Sequence, residues 1–253
     1  RAAAQGVVIV QEQTEPEFSV LMSEDFNDGV ANDWTPLRPG WVVDKVSQVG
    51  GVVYHGVTER KCGEKGLAGG VQGLIAVNNR AGGHAGGKSA EALIEELGPL
   101  GVPVVCAGGI GDAAGFRSAL ALGYAGAQLG TRFIATTECR ASEAYKNAIL
   151  HASENDIVHS ERITGVPVAV IRTPYIDRMG LTAGPLARWM LRHRRTKHLM
   201  RTIYALRSLW QLKRASLDES GSKDYWQAGK SAGVIDSIRP AGDIVREFGA
   251  AIG

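Results

Sequence analysis

"VPVVCAGGIGDAAGFRSALALGYAGAQLGTRF" (Val102–Phe133) carries the reading of the fold. It opens on an apolar, β-branched run, turns through glycines, and continues as an alanine-rich amphipathic stretch. It then returns to a second apolar run that ends on glycine again. Asp112 is placed to cap the intervening helix and Gly123 to stop it. Strand, glycine turn, helix and strand in about 30 residues make a βαβ unit.

The same rhythm extends to both sides. Upstream, "GGVVYHGVT" (50–58) reads as a buried strand with a short helix or turn, "ERKCGEKGLAGG", behind it. "VQGLIAVNN" (71–79) reads as another strand, followed by a glycine loop and the helix "SAEALIEELGPLG" (89–101). Strands at 102–110 and 125–133 and a helix from Ser142 through Ala152 complete four βα units. Short apolar strands alternating with helices predict a parallel sheet covered by helices. Residues 160–180 read as connection, and "AGDIVREFGAAI" as a final amphipathic helix. At the N-terminus "GVVIV" is strand-like and "EDFNDGVANDW" loop-like.

Composition narrows the class. A hydrophobic fraction of 44% with 21% charged residues is that of a globular chain, and 253 residues suffice for one large domain. The 33 glycines exceed the roughly 7% of average usage, and they gather after the apolar runs, where turns or a close ligand need them. Cys62, Cys106 and Cys139 are odd in number and far apart, which suggests neither a disulfide framework nor a zinc site. With no apolar run long enough for a membrane span and no signal peptide, a cytoplasmic, reducing setting is the expectation. Between Arg188 and Arg214 nine Lys or Arg fall with no acidic residue. Leu199, Ile203, Leu206 and Trp210 recur there at helical spacing, so this reads as an amphipathic helical cover with a solvated basic face. A nucleic-acid or lipid role is disfavoured, because the aromatic interleaving of single-strand binders is missing.

The chemistry lies just after the strands. "AGGIGD" (107–112) and "LGTRF" (129–133) each bring glycine to a strand end, where backbone N–H groups approach an anion. In barrels, the loops after the last two strands form the recurrent phosphate site. Gly108, Gly109, Gly130 and Thr131 are the candidates; two ordinary tight turns are the plainer reading. In "VNNRAGGHAGG" (77–87) one imidazole, His84, sits among glycines. It reads either as a general base, since imidazole as a residue type titrates near neutrality, or as a loop histidine bonded to a carbonyl. His55, after the preceding strand, reads as a flavin or phosphate contact or as a structural histidine. Arg80 and Lys88 read as solvated charges, and Cys106 as a core residue.

These motifs resemble the nitronate monooxygenase family. "GLIAVNNRAGGHAGG" is similar to its glycine-histidine motif and "DYWQAGKSAG" to its C-terminal signature, and the likeness runs from about residue 41 to the C-terminus. The resemblance implies an FMN-dependent (β/α)8 TIM barrel, here its C-terminal portion. It further implies oxidation of nitronates or nitroalkanes by O2 to a carbonyl compound and nitrite, without a metal. His84 is then the base, Gly82, Gly83 and Gly86 give the flavin ring clearance, and the two glycine turns hold the FMN phosphate. Reduction of quinones or enoyl thioesters by NAD(P)H, and a non-catalytic partial barrel, stand as alternatives. A homodimer contact through the basic segment is also open. Residues 1–40 do not match the family, leaving residues 41–253 as the barrel portion. Four further strands would need on the order of 100 residues at the period seen, so a fragment or a rebuilt N-terminus is expected.

Overall fold

The computed structural model describes the backbone of residues 7–11 and 18–23, and residues 52–163, 166–182, 184 and 226–252. Four parallel strands form its centre: β3 (Tyr54–Val57), β4 (Gly73–Val77), β5 (Val104–Ala107) and β6 (Gly126–Leu129). They pair in sequence order, with Val57 opposite Ala76, Ala76 opposite Cys106, and Cys106 opposite Ala127. These are the four strands expected, shortened at both ends because the flanking glycines and polar residues turn instead of pairing.

The sheet continues beyond β6 in a different sense. β1 (Val7–Gln11) pairs antiparallel with β6, and β2 (Phe18–Ser23) antiparallel with β1. A barrel places a parallel strand at that edge; here a hairpin takes the position. The strand-like "GVVIV" is thus a strand, and β2 was not foreseen. The loop-like stretch 24–34 and the basic segment 188–214 lie outside the described residues.

Helices cover one face. They are α1 (Arg60–Ala68), α2 (Ala90–Leu97), α3 (Ala113–Ala121) and, from the C-terminus, α7 (Ala241–Ala250). Strand side chains alternate between faces, so Leu74 and Ala76, Val104 and Cys106, and Ala127 and Leu129 all point to this layer. There they are buried against Leu93, Leu97 and Phe116. The helix starts follow local chemistry: Ser89 accepts from the Ala92 N–H and Asp112 from the Gly115 N–H, each satisfying a donor of the first turn. Gly123, at φ +100°, ends α3 in the left-handed region as expected. Phe116 of α3 and Phe248 of α7 stack with centroids 5.4 Å apart and tie the C-terminus to this core.

After β6 the chain makes a short helix, α4 (Thr131–Ile134), then α5 (Glu143–His151) capped by Ser142. Thr131, Arg132 and Phe133 are therefore helical and not the end of a strand. Residues 160–180 are more ordered than a connection. β7 (Ile157–Ser160) and β8 (Val168–Ile171) form an antiparallel hairpin, followed by α6 (Pro174–Met179). The run "VAVI" is only four residues long, and the strand paired with it includes His159 and Ser160. Neither has the length or alternation that marks a strand in sequence.

Candidate functional site

The loop leaving β4 is built around a buried amide. Asn78 is 1% exposed; its Nδ2 donates to the Gly108 carbonyl at 3.0 Å, and its Oδ1 accepts from the Arg80 N–H at 2.8 Å. One side chain thus fixes its own turn and locks it to the turn after β5. Asn78 shapes the loop.

Gly108 and Gly109 take φ +118° and +79°, conformations that L side chains avoid. The space a Cβ would fill is already taken by the protein. At Gly108 it falls 2.3 Å from Asn78 Oδ1 and 2.6 Å from the Ala81 nitrogen, and at Gly109 2.5 Å from Arg80 Nε. At Gly130 nothing among the described residues lies within 4 Å of the Cβ position.

Whether a phosphate fits can be judged from the backbone donors. The N–H groups of Gly108, Gly109, Ile110 and Gly111, and those of Gly130 and Thr131, have no acceptor among the described residues. Ile110, Gly111 and Thr131 are themselves buried. Buried N–H groups are ordinarily paired, and two runs of unpaired ones at adjacent strand ends suit an anion. The Thr131 hydroxyl accepts from the Gly229 N–H at 3.0 Å, which fixes its place beside the turn and leaves its own O–H to donate.

His84 is exposed, and the loop that carries it is held on both sides. The Gly83 carbonyl accepts from the Ala169 N–H of β8 at 2.7 Å, and Gly83 takes φ +68°. Gly82 lies so close to the 228–229 backbone that a Cβ would sit 2.8 Å from the Gly229 nitrogen. At Gly86 the Val77 carbonyl stands 2.4 Å from the Cβ position. The clearance at Gly82 and Gly86 therefore serves the chain's own packing. His84 is left as an imidazole facing solvent from a backbone pinned by β8 and by residues 228–229.

His55 departs from expectation. It is the second residue of β3 and not a residue beyond it. On the same face as Val57, its ring lies over Gly66 of α1, with Cδ2 2.9 Å from where a Cβ on that glycine would be. Strand alternation sends it to the helix layer, away from the strand ends. It is not part of this site.

Residues 226–235 were not foreseen as part of the site, although their motif is plain in the sequence. Trp226 stacks on Tyr145 with centroids 4.9 Å apart, and the Tyr145 hydroxyl donates to the Gln227 carbonyl. The Lys230 N–H donates to the Arg80 carbonyl at 2.9 Å, and the Ser231 carbonyl stands 2.7 Å from the Cβ position of Gly111. This strap binds the turns after β4, β5 and β6 into one unit. Arg132, 4% exposed, anchors the chain beyond it, donating through Nη2 to the carbonyls of Ala135 and Ser237. Burial pulls its guanidinium below the usual value, with Arg239 adding to the effect. No sequence signal distinguishes Arg132 from a solvated arginine.

The family model for nitronate monooxygenase matches residues 35–250. The chain belongs to that family. A probable nitronate monooxygenase of Staphylococcus saprophyticus is 36% identical over 122 residues, covering 44% of this chain and 34% of that protein. The (3aS,4S,5R,7aS)-5-hydroxy-7a-methyl-1-oxo-octahydro-1H-indene-4-carboxyl-CoA dehydrogenase of Mycobacterium tuberculosis is 30% identical over 142 residues, covering 54% and 40%. The matches to these two curated relatives thus span two fifths of their length or less. Among solved structures, FabK from Thermotoga maritima superposes with a TM-score of 0.65 at 28% identity, covering 85% of this chain and 67% of that one. The parallel sheet with its helical layer is part of a (β/α)8 barrel of this nitronate monooxygenase family. Among the described residues, no helix is long and apolar enough to cross a membrane.

Proposed function

We propose that this nitronate monooxygenase family chain serves FMN-dependent oxidation of a nitronate or nitroalkane by O2, giving a carbonyl compound and nitrite. The observation that carries the reading is the pair of adjacent strand-end turns, Gly108–Gly111 and Gly130–Thr131, whose N–H groups have no acceptor among the described residues. Those donors hold the phosphate, and the charge of a dianion makes each of these hydrogen bonds stronger than a neutral one. The bound flavin supplies the two-electron oxidation, with O2 as the final acceptor.

The remaining work falls to the chain's own groups. His84 takes the proton α to the nitro group of a neutral nitroalkane, and an imidazole is suited to this because it exchanges protons near neutral pH. The hydrogen bond from Ala169 to Gly83 and the close approach of Gly82 to Gly229 fix the backbone that carries that imidazole without using its nitrogens. A preformed nitronate is already deprotonated and does not need the base.

This difference sets the test. Oxygen uptake is followed with a nitroalkane and with its nitronate, in wild type and His84→Ala. The reading expects the variant to lose nitroalkane turnover by about 100-fold or more, the usual size of a general-base contribution, and to keep more of its nitronate turnover. Equal turnover of the nitroalkane in both proteins would overturn the role of His84.

The similarity to a carboxyl-CoA dehydrogenase favours a second reading, redox chemistry on a thioester with NAD(P)H exchanging electrons through the same flavin. Oxygen uptake driven by a nitronate without NAD(P)H supports the first reading. Flavin reduction by NAD(P)H with no response to nitronate supports the second.

A further inference from the structure

Arg80 stands outside the roles assigned above. Its backbone is fixed, the N–H by Asn78 and the carbonyl by Lys230. Its side chain folds back across the turn after β5, with Nε, Cδ and Cβ lying 2.5, 2.9 and 3.0 Å from the Cβ position of Gly109. Only glycine leaves room for an arginine laid on that turn. Nη2 pairs with Glu154, and Nε and Nη1 have no acceptor among the described residues. The side chain remains 40% exposed.

A guanidinium with unused donors therefore rests on a turn whose own N–H groups are also unused. A half-exposed ion pair contributes little to stability, so a brace between Arg80 and Glu154 gives a poor account of this placement. Arginine offers several donors in a fixed planar fork that matches a phosphate.

We propose that Arg80 binds the phosphate monoester of the flavin mononucleotide at the Gly108–Gly111 turn, with Glu154 as the carboxylate that holds the guanidinium in place and competes for it. This rests on the flavin reading above. When no anion is present, the pairing with Glu154 offsets part of the guanidinium's charge and weakens its pull on a phosphate. An incoming dianion then recruits the free Nε and Nη1 donors, and the strap at Lys230 keeps the loop from yielding.

The test compares FMN with riboflavin, which lacks only the phosphate. Dissociation constants for both are measured by flavin fluorescence in wild type, Arg80→Met and Glu154→Gln. Wild type is expected to prefer FMN. Arg80→Met should reduce that preference by about tenfold or more, the range for a hydrogen bond to a charged group, and leave riboflavin binding unchanged. Glu154→Gln should increase the preference. An unchanged preference in Arg80→Met, with wild type still favouring FMN, overturns the proposal alone. Equal weakening of both flavins by both variants also overturns it and makes the pair a brace. Failure of wild type to bind either flavin overturns the flavin reading, and the proposal with it.

Discussion

The Gly229 N–H donates to the Thr131 hydroxyl at 3.0 Å, joining residues 98 positions apart. On its other side, the position of a Gly229 Cβ is 2.7 Å from both the Arg80 carbonyl oxygen and the Gly82 nitrogen. Gly229 is thus wedged between the turn after β6 and the loop that carries His84. Both obstructing atoms are backbone, so neither can swing aside. Gly229→Ala is expected to lose about 1–3 kcal/mol, the cost of overpacking. Thr131→Val should lose about as much by leaving a buried N–H without its acceptor. Urea unfolding checks both, and wild-type stability in Gly229→Ala would contradict the wedge.

How far the sequence reveals this depends on range. Helix starts at Ser89, Asp112 and Ser142 are written in the residues themselves, because a cap bonds three positions along the same chain. The parallel strands are legible from period and β-branching. The reasons for the glycines are not. Gly82 and Gly108 read as room for a ligand, whereas their missing Cβ atoms make room for Gly229 and Asn78, contacts that only the folded chain brings together. The place of His55 within its strand is missed for a smaller reason. A strand boundary displaced by a few residues turns a strand-end contact into a side chain on the helix face.

The Phe116–Phe248 stack is the main aromatic link between α3 and α7, and both rings are almost fully buried. Phe248→Ala should lower stability by about 3–5 kcal/mol, and Phe248→Leu by less because more of the volume is kept. Thermal or urea unfolding gives the comparison. Similar losses for the two variants would show that the ring volume at this position is unimportant.

The three cysteines should differ in reactivity. Cys62 is partly exposed, whereas Cys106 and Cys139 are buried. Burial pushes the Cys106 thiol up to about 11, so near neutral pH it stays protonated and unreactive. A thiol reagent applied to the native protein at pH 8 should label Cys62 first and the other two only after denaturant is added. Peptide mass spectrometry reads the order, and early labelling of Cys106 would contradict the packing around β5.

Glu138 accepts from the Ala241 N–H with both carboxylate oxygens at 3.0 Å, and so caps the start of α7 from across the chain. That backbone hydrogen bond holds its carboxyl below the usual carboxylate range. A carboxyl lowered in the folded state stabilises the protein above its unfolded value, and the benefit is lost as pH falls through the folded value. Glu138→Gln should therefore lower the melting temperature at pH 7 and lose its difference from wild type in strong acid. A difference that stays constant from neutral to acid pH would assign the effect to something other than the carboxylate.

The visible absorption spectrum of the purified protein, recorded after incubation with FMN and removal of the unbound flavin, tests the central claim most directly. The account predicts a yellow protein with about one flavin per chain, its spectrum shifted from that of free FMN by the pocket. A colourless protein would contradict it, showing that the turns after β5 and β6 do not hold a flavin phosphate in this chain.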